Sequence, residues 1–413
     1  MAAVISLSAA RQSVLGTPCV PCPAETVALA DAAGRWLAED VLADGPWPAT
    51  DRSAMDGFAL GLGEQEALPA GSRLPVVGES LAGHPFAGTL PRGAAIRIMT
   101  GAVVPPGADT VVPVEHTSGY EGAEVELREL ARRGQNVRLM GSEVRAGQLL
   151  LARGTRIRAA EVGALAVLGR VRVAVARRPV VAILATGDEV VPAECTPLPH
   201  QVRESNSHAL AAQVAECGGT ALRLGIAPDE EPPLRILLAR GLAEADVLVT
   251  IGGVSKGTHD LVHTTLTALG VQPVFHGIQL KPGKPTFFGL AQGPRARAVF
   301  ALPGNPASCF TVFDLLVRPW LHRLCGAPVH AGPELARAGG ALPRANSREQ
   351  AVPAQLGPDE HGALVARMLP VSPSGDPFAL VPANGYALVP AGTAPAAGTL
   401  LPVTPFGATA GPR

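Results

Sequence analysis

From Val180 onward the chain alternates continuous apolar runs with helical patterns, and this confines the segment to folds built on a mostly parallel sheet with helices on both faces. Val180 to Leu184 reads as a buried strand and Ser207 to Cys217 as a helix. Leu234 to Ala243 follows as a helix, Val247 to Thr250 as a strand and Leu261 to Leu269 as a helix. Ala298 to Leu302 is a further strand, before a helix beginning near Ala307. Three of these strands end in conspicuous loops: Thr186-Gly187-Asp188-Glu189, Gly252-Gly253-Val254-Ser255-Lys256-Gly257 and Pro303-Gly304-Asn305-Pro306. Loops at strand carboxyl ends line one crevice in an open parallel sheet, and ligands bind there. Glycine lets backbone amides approach a phosphate closely, so a phosphorylated ligand is expected.

The charged residues near these loops fit that expectation. Asp188 and Glu189 adjoin on a turn and Asp260 follows the second loop; such oxygen ligands suit a hard cation such as Mg²⁺, which bridges protein to phosphate. Helix capping is the simpler role for Asp260. Only Lys256, Lys281 and Lys284 are lysines among 34 basic residues, and all three lie in glycine- or proline-rich loops. Across Lys281-Pro282-Gly283-Lys284-Pro285, a proline-stiffened turn lowers the cost of presenting two ammonium groups to one oxyanion. The reading requires the carboxylates and these lysines to face one common void, in the monomer or in a paired assembly.

At 413 residues the chain is long enough for about two to four domains. Charged residues are 17% and the net charge is −1, which excludes a general nucleic-acid footprint. The start lacks a signal-peptide pattern and every apolar run is interrupted, so a cytoplasmic protein with no membrane span is expected. Cys19 and Cys22 have CxxC spacing, but no second pair answers them and Pro18, Pro21 and Pro23 surround them, which reads as structural.

The expected fold class is multidomain α/β and β: a central βα domain, with helical, inserted β-rich and carboxy-terminal β domains. Val4 to Val41 reads as helical and Ala159 to Leu168 as a further helix, with Val171 to Val175 strand-like; residues 1–45 and 145–177 are therefore taken as one helical domain. Residues 46–144, with short β-like runs such as Val111 to Val114 and Val125 to Leu127, form the insertion. Residues 178–325 form the βα domain and 326–413 the small β domain. Within the insertion, Asp56-Gly57 and Thr100-Gly101 are ordinary turn signals by themselves.

Nine motifs, in order, resemble one family: SAMDGFA from Ser53, RIMTGA from Arg97, PPGADTVVPVE from Pro105, GQNVR from Gly134, AILATGDEVV from Ala182, ESNSHAL from Glu204, ADVLVTIGGVSKGTHD from Ala245, LKPGKP from Leu280 and FALPGNPAS from Phe300. The chain is similar over nearly its whole length to the molybdopterin molybdenumtransferases, the MoeA proteins and the gephyrin E domain. The resemblance implies a homodimer whose βα domain binds molybdopterin and whose active cleft lies between subunits. It implies insertion of molybdate into adenylylated molybdopterin, with Mg²⁺-dependent pyrophosphate cleavage and AMP release.

By motif, Asp188 and Glu189 would serve the metal or pyrophosphate, with Asp260 nearby, and Asp56 and Thr100 would reach across the dimer. Ser205, Asn206, Gly252, Gly253 and Ser255 would contact the nucleotide or pterin, together with Pro303, Asn305 and Pro306 of the last loop. Lys281, Lys284 and Ser308 would hold molybdate, with Arg348 a further contact. The chain departs from the family at Glu143, where an aspartate is usual, and at Lys256, where a small apolar residue is usual. The resemblance leaves three other readings open: a molybdopterin adenylyltransferase, whose family shares only the βα domain and which would otherwise be a transient partner; a non-catalytic scaffold; and a tungstate-preferring relative.

Overall fold

The computed structural model describes residues 4–253, 261–293, 297–328, 334–370 and 372–406. The chain forms two compact units, Asp40–Ala152 and the combination of Met1–Glu39 with Arg153–Arg413.

In the larger unit, β1 (Val180–Thr186), β2 (Thr220–Ala227), β3 (Val247–Ile251), β4 (Val271–His276), β5 (Phe287–Ala291) and β6 (Arg297–Leu302) make one sheet in the order β2-β1-β3-β6-β5-β4. The first four strands in that order pair in parallel and β5 alone runs against the rest, pairing antiparallel with both β6 and β4, so the sheet is mostly parallel as the alternation predicts. Helices α1 (Asn206–Glu216), α2 (Glu231–Glu244), α3 (Leu261–Ala268) and α4 (Pro306–Val312) cover it. Successive strand residues serve opposite faces: Val181, Ile183, Val249 and Phe300 pack with Leu210, Val214 and Val312, whereas Ala182, Leu184, Leu248 and Val299 pack with Leu234, Leu238 and Leu266. Each large aliphatic side chain buried this way contributes about 1.5–3 kcal/mol, so two-sided burial drives the element order.

A second sheet contains β7 (Glu334–Gly340), β8 (Glu349–Pro358), β9 (Leu364–Met368), β10 (Gly385–Val389) and β11 (Leu400–Pro405). Strand β10 pairs with both β11 and β8, so the sheet closes on itself. Leu280–Lys281 joins it as a parallel edge, with Leu280 opposite Glu349 and Lys281 opposite Gln350. The basic loop of the βα fold is thereby tied to the carboxy-terminal sheet.

The helical reading of Val4 to Val41 is corrected. Only Leu7–Gly16 is α-helical, capped by Ser6, whose Oγ accepts the Ala9 N–H at 3.1 Å. Pro18, Pro21 and Pro23 cannot extend a helix, and Ala24–Ala28 then pairs antiparallel with Arg172–Ala176. The later helix, Ala159–Val167, and the strand after it match expectation. Among the described residues no helix is long and apolar enough to cross a membrane.

The smaller unit has a five-stranded sheet in the order Thr110–Pro113, Gly57–Leu60, Ala95–Ile98, Arg73–Ser80, Glu124–Glu126. Gly57 must be glycine, because a Cβ there would lie 2.0 Å from the Val112 carbonyl oxygen.

Candidate functional site

In the smaller unit, Gly57–Leu60 runs antiparallel to Ala95–Ile98 with Gly57 opposite Ile98, so the residues just beyond the paired ends meet. Asp56 Oδ1 accepts both the Thr100 backbone N–H at 2.6 Å and the Thr100 hydroxyl at 2.8 Å. These bonds, the backbone one first, hold the exposed Asp56 carboxyl below its ordinary pKa. The GQNVR motif is explained structurally: Asn136 adopts left-handed φ of 55°, donates its side-chain N–H to Val111 O at 2.9 Å and accepts the Ala54 N–H at 2.9 Å. Glu143 pairs with Arg138 at the surface of the same unit.

In the larger unit the strand-end loops converge. Gly252 and Gly253 both have positive φ; a Cβ on Gly252 would stand 2.9 Å from Thr186 Oγ1, and one on Gly304 would stand 3.6 Å from Gly252 Cα. Asn206 donates from Nδ2 to Gly304 O at 2.7 Å, and Asn305 donates from Nδ2 to Ser374 Oγ at 2.9 Å. Ser255, Lys256 and Asp260 lie outside the described residues.

A cavity of 460 Å³ gathers Lys281, Lys284, Ser308 and Arg348, assigned from sequence to the oxyanion, with Pro303 and Asn305, assigned to the nucleotide or pterin. Gly283, at φ 123°, lets the turn pass Val312, and Thr286 Oγ1 donates to Gly283 O at 2.7 Å. Arg348 is oriented by its Nη1 bond to Leu280 O at 3.0 Å. Ser308 is only 4% exposed, which presents its hydroxyl in a largely dry setting. Sequence reasoning missed Gln350, Ser372 and Ser374 in this lining. Gln350 and the serines come from the carboxy-terminal segment, whose approach to the lysines has no local signature.

A second cavity of 250 Å³ is lined by Ser205, Asn206 and Pro306, and it shares Ala307 and Leu380 with the first. Asp188 and Glu189 line neither of these two cavities. The acidic pair sits after β1, whereas the lysine loop is drawn toward the carboxy-terminal sheet by the Leu280–Lys281 pairing. The Gly304 segment, which Asn206 fastens, lies against Gly252, and Gly252 lies against Thr186 at the end of β1.

Asp229, after β2, was also missed. Its N–H donates to Asp188 Oδ1 at 3.1 Å, and its own carboxyl is pushed up by partial burial and then by the charges of Asp188 and Glu189. Among the described residues no three His, Cys, Asp or Glu side chains are arranged to close on one ion. That donor set still fits Mg²⁺, which keeps several waters and takes only one or two carboxylates plus substrate phosphate oxygens. Cys22 is buried, with its N–H bonded to Leu324 O at 2.7 Å, and no disulfide joins the cysteines among the described residues.

Three family models match in register: the MoeA N-terminal region (domain I and II) over residues 5–169, a probable molybdopterin binding domain over 182–323, and the MoeA C-terminal region (domain IV) over 336–406. The chain is 33% identical over 383 residues to a molybdopterin molybdenumtransferase of Bacillus subtilis, covering 89% of this chain and 86% of that protein. Two solved structures of molybdopterin biosynthesis MoeA protein from Pyrococcus horikoshii superpose with TM-scores of 0.80 and 0.82 at 30% and 27% identity. Both comparisons cover 98% of this chain, and 99% and 100% of those chains. On that extent of agreement in sequence and fold, the chain belongs to the molybdopterin molybdenumtransferase family.

Proposed function

We propose that the protein inserts molybdate into adenylylated molybdopterin, with Mg²⁺-dependent cleavage of the pyrophosphate and release of AMP. The carrying observation is the cavity in which Lys281, Lys284, Arg348 and the nearly buried Ser308 meet. Three cationic groups and a hydroxyl donor neutralise and orient a tetrahedral dianion, and a largely dry wall strengthens each contact. The second cavity, reached by Ser205 and Asn206 and sharing a wall with the first, offers the pterin nucleotide a neighbouring seat.

Cleaving a phosphoanhydride depends on positioning and charge neutralisation more than on covalent catalysis. Asp188 and Glu189 would hold Mg²⁺ against the pyrophosphate, where the ion supplies positive charge. Gly252 and Gly253 admit phosphate oxygens close to the backbone, and the Asn206 bond to Gly304 O keeps the adjoining loop in place. Asp56 and Thr100 belong to the same proposal as further groups of the reaction. The working form is a cytoplasmic homodimer that receives its pterin from a molybdopterin adenylyltransferase.

Purified protein incubated with adenylylated molybdopterin, molybdate and Mg²⁺ is expected to release AMP and yield molybdenum cofactor. AMP release that does not require molybdate, or consumption of ATP and molybdopterin with pyrophosphate formation instead, overturns the reading.

A further inference from the structure

The side chains of Ser205 and Asn206 serve a ligand cavity and a loop, although they stand where a helix ordinarily uses its own first residues as a cap. Ser205 is the N-cap of α1, yet its side chain makes no capping bond. The preceding residue caps instead. Glu204 is 5% exposed; its Oε1 accepts the Ser207 N–H at 2.7 Å and its Oε2 accepts the Ser207 hydroxyl at 2.5 Å. Arg223 of β2 completes the cluster, donating from Nε to Ser207 Oγ at 2.9 Å with Nη2 3.7 Å from Glu204 Oε2. A buried carboxylate is costly unless it is paired and hydrogen-bonded, and a serine or asparagine side chain caps a helix without that cost. The arrangement therefore does something that a simple cap does not.

The backbone around Glu204 shows what that is. The Glu204 N–H bonds to Val191 O at 2.7 Å and the Val202 N–H bonds to Glu189 O at 2.8 Å, which ties this segment to the Asp188–Glu189 loop. Two residues after Glu204, Asn206 reaches Gly304 O. We propose that Glu204 is a positioning residue: by capping α1 from one residue upstream it frees Ser205 for the ligand and Asn206 for Gly304. It thereby holds the acidic loop and the Pro303–Pro306 loop in one arrangement. The identity of the ligand rests on the pterin-nucleotide reading above; the coupling of the two loops does not.

The test compares Glu204→Ala and Glu204→Gln in the full chain. In the alanine variant, amide hydrogen exchange in segments 187–191 and 303–306 is expected to quicken about tenfold, with the β8 to β11 sheet unchanged. Affinity for adenylylated molybdopterin is expected to fall roughly 10- to 100-fold, the scale of lost charge-assisted hydrogen bonds, while molybdate affinity stays within about twofold. Glutamine keeps an acceptor for the Ser207 N–H and is expected to restore most of both losses. If Glu204→Ala does not fold, Ser207→Ala, which removes one of the same bonds, carries the comparison. Exchange that rises evenly along the chain, or that leaves both loops unchanged, overturns the proposal. Loops that loosen together without loss of pterin-nucleotide affinity uphold the coupling and overturn the ligand reading.

Discussion

Asp56 Oδ1 receives two hydrogen bonds from Thr100, one from the backbone at 2.6 Å and one from the hydroxyl at 2.8 Å. Both favour the ionised carboxylate, so Asp56 titrates below the ordinary aspartate range. A depressed folded-state pKa stabilises the fold above the unfolded value, and that contribution is lost as pH falls through the lower folded value. NMR titration of Asp56 is expected to show this low midpoint. Thr100→Val is expected to raise it only partway, because the backbone N–H remains. A midpoint that Thr100→Val leaves unmoved would show that the hydroxyl bond is not made in solution.

Asp229 behaves in the opposite sense. Partial burial, then the charges of Asp188 and Glu189, raise its pKa. The ionised form is thus disfavoured in the folded chain, and stability is lost as pH rises from the unfolded value through the raised one. Asp188→Asn removes one repelling charge and is expected to bring the Asp229 midpoint down. The same direction is expected when Mg²⁺ is added to the unmodified chain, if the cation binds beside these carboxylates. Titration curves of Asp229 that coincide in all three conditions would separate it from the acidic pair.

Lys284 and Glu189 lie in different parts of the proposed site, and each is required by it. Lys284→Ala and Glu189→Ala are each expected to reduce molybdenum insertion by about 10²- to 10³-fold, the usual scale for removing a group that stabilises developing charge. Circular dichroism and thermal unfolding should match the unmodified chain, since both side chains stand outside the apolar cores. Normal turnover by both variants would remove the assignment.

Gly57 supplies a purely steric prediction. In Gly57→Ala the new methyl meets backbone rather than a flexible side chain, 2.0 Å from Val112 O and 2.9 Å from Val114 N. The sheet must part locally, at a cost of about 3 kcal/mol or more. Urea unfolding should show the loss, and Asp56, the adjoining residue, should lose its low pKa with it. A stable Gly57→Ala chain would mean that these strands yield more readily than their pairing suggests.

Asp314 and Arg318 form a buried pair, 3% and 4% exposed, with Arg318 Nε 2.7 Å from Asp314 Oδ1. Burial pushes the Asp314 carboxyl up, against the pull of Arg318. Asp314→Ala leaves the guanidinium short of its buried partner and is expected to cost about 3–5 kcal/mol in chemical denaturation. A loss under about 1 kcal/mol would mean that Glu216, 2.9 Å from Arg318, suffices by itself.

Strands β1 and β3 were legible because both faces are buried, which writes a continuous apolar run into the chain. Strand β2 lies at the sheet edge and alternates with exposed residues, so its run is broken, and Asp229 beyond it went unnoticed. The amino-terminal segment misled because its alanines and leucines carry helical propensity, while pairing of Ala24–Ala28 with Arg172–Ala176 overrides it across a long stretch of chain. Strand pairing of that kind depends on partners that no local window contains.

Residue types and their order along the chain determined which loops bear glycine, carboxylate and ammonium groups, because turn chemistry and charge are local properties. Which loops share a cavity was decided only in three dimensions. Pairing of Lys281 with Gln350 turns the lysines toward the carboxy-terminal sheet, and Glu204 binds the acidic loop to α1. Both outcomes follow from contacts between segments far apart in sequence, whose free energy is realised only when the cores beneath them have packed.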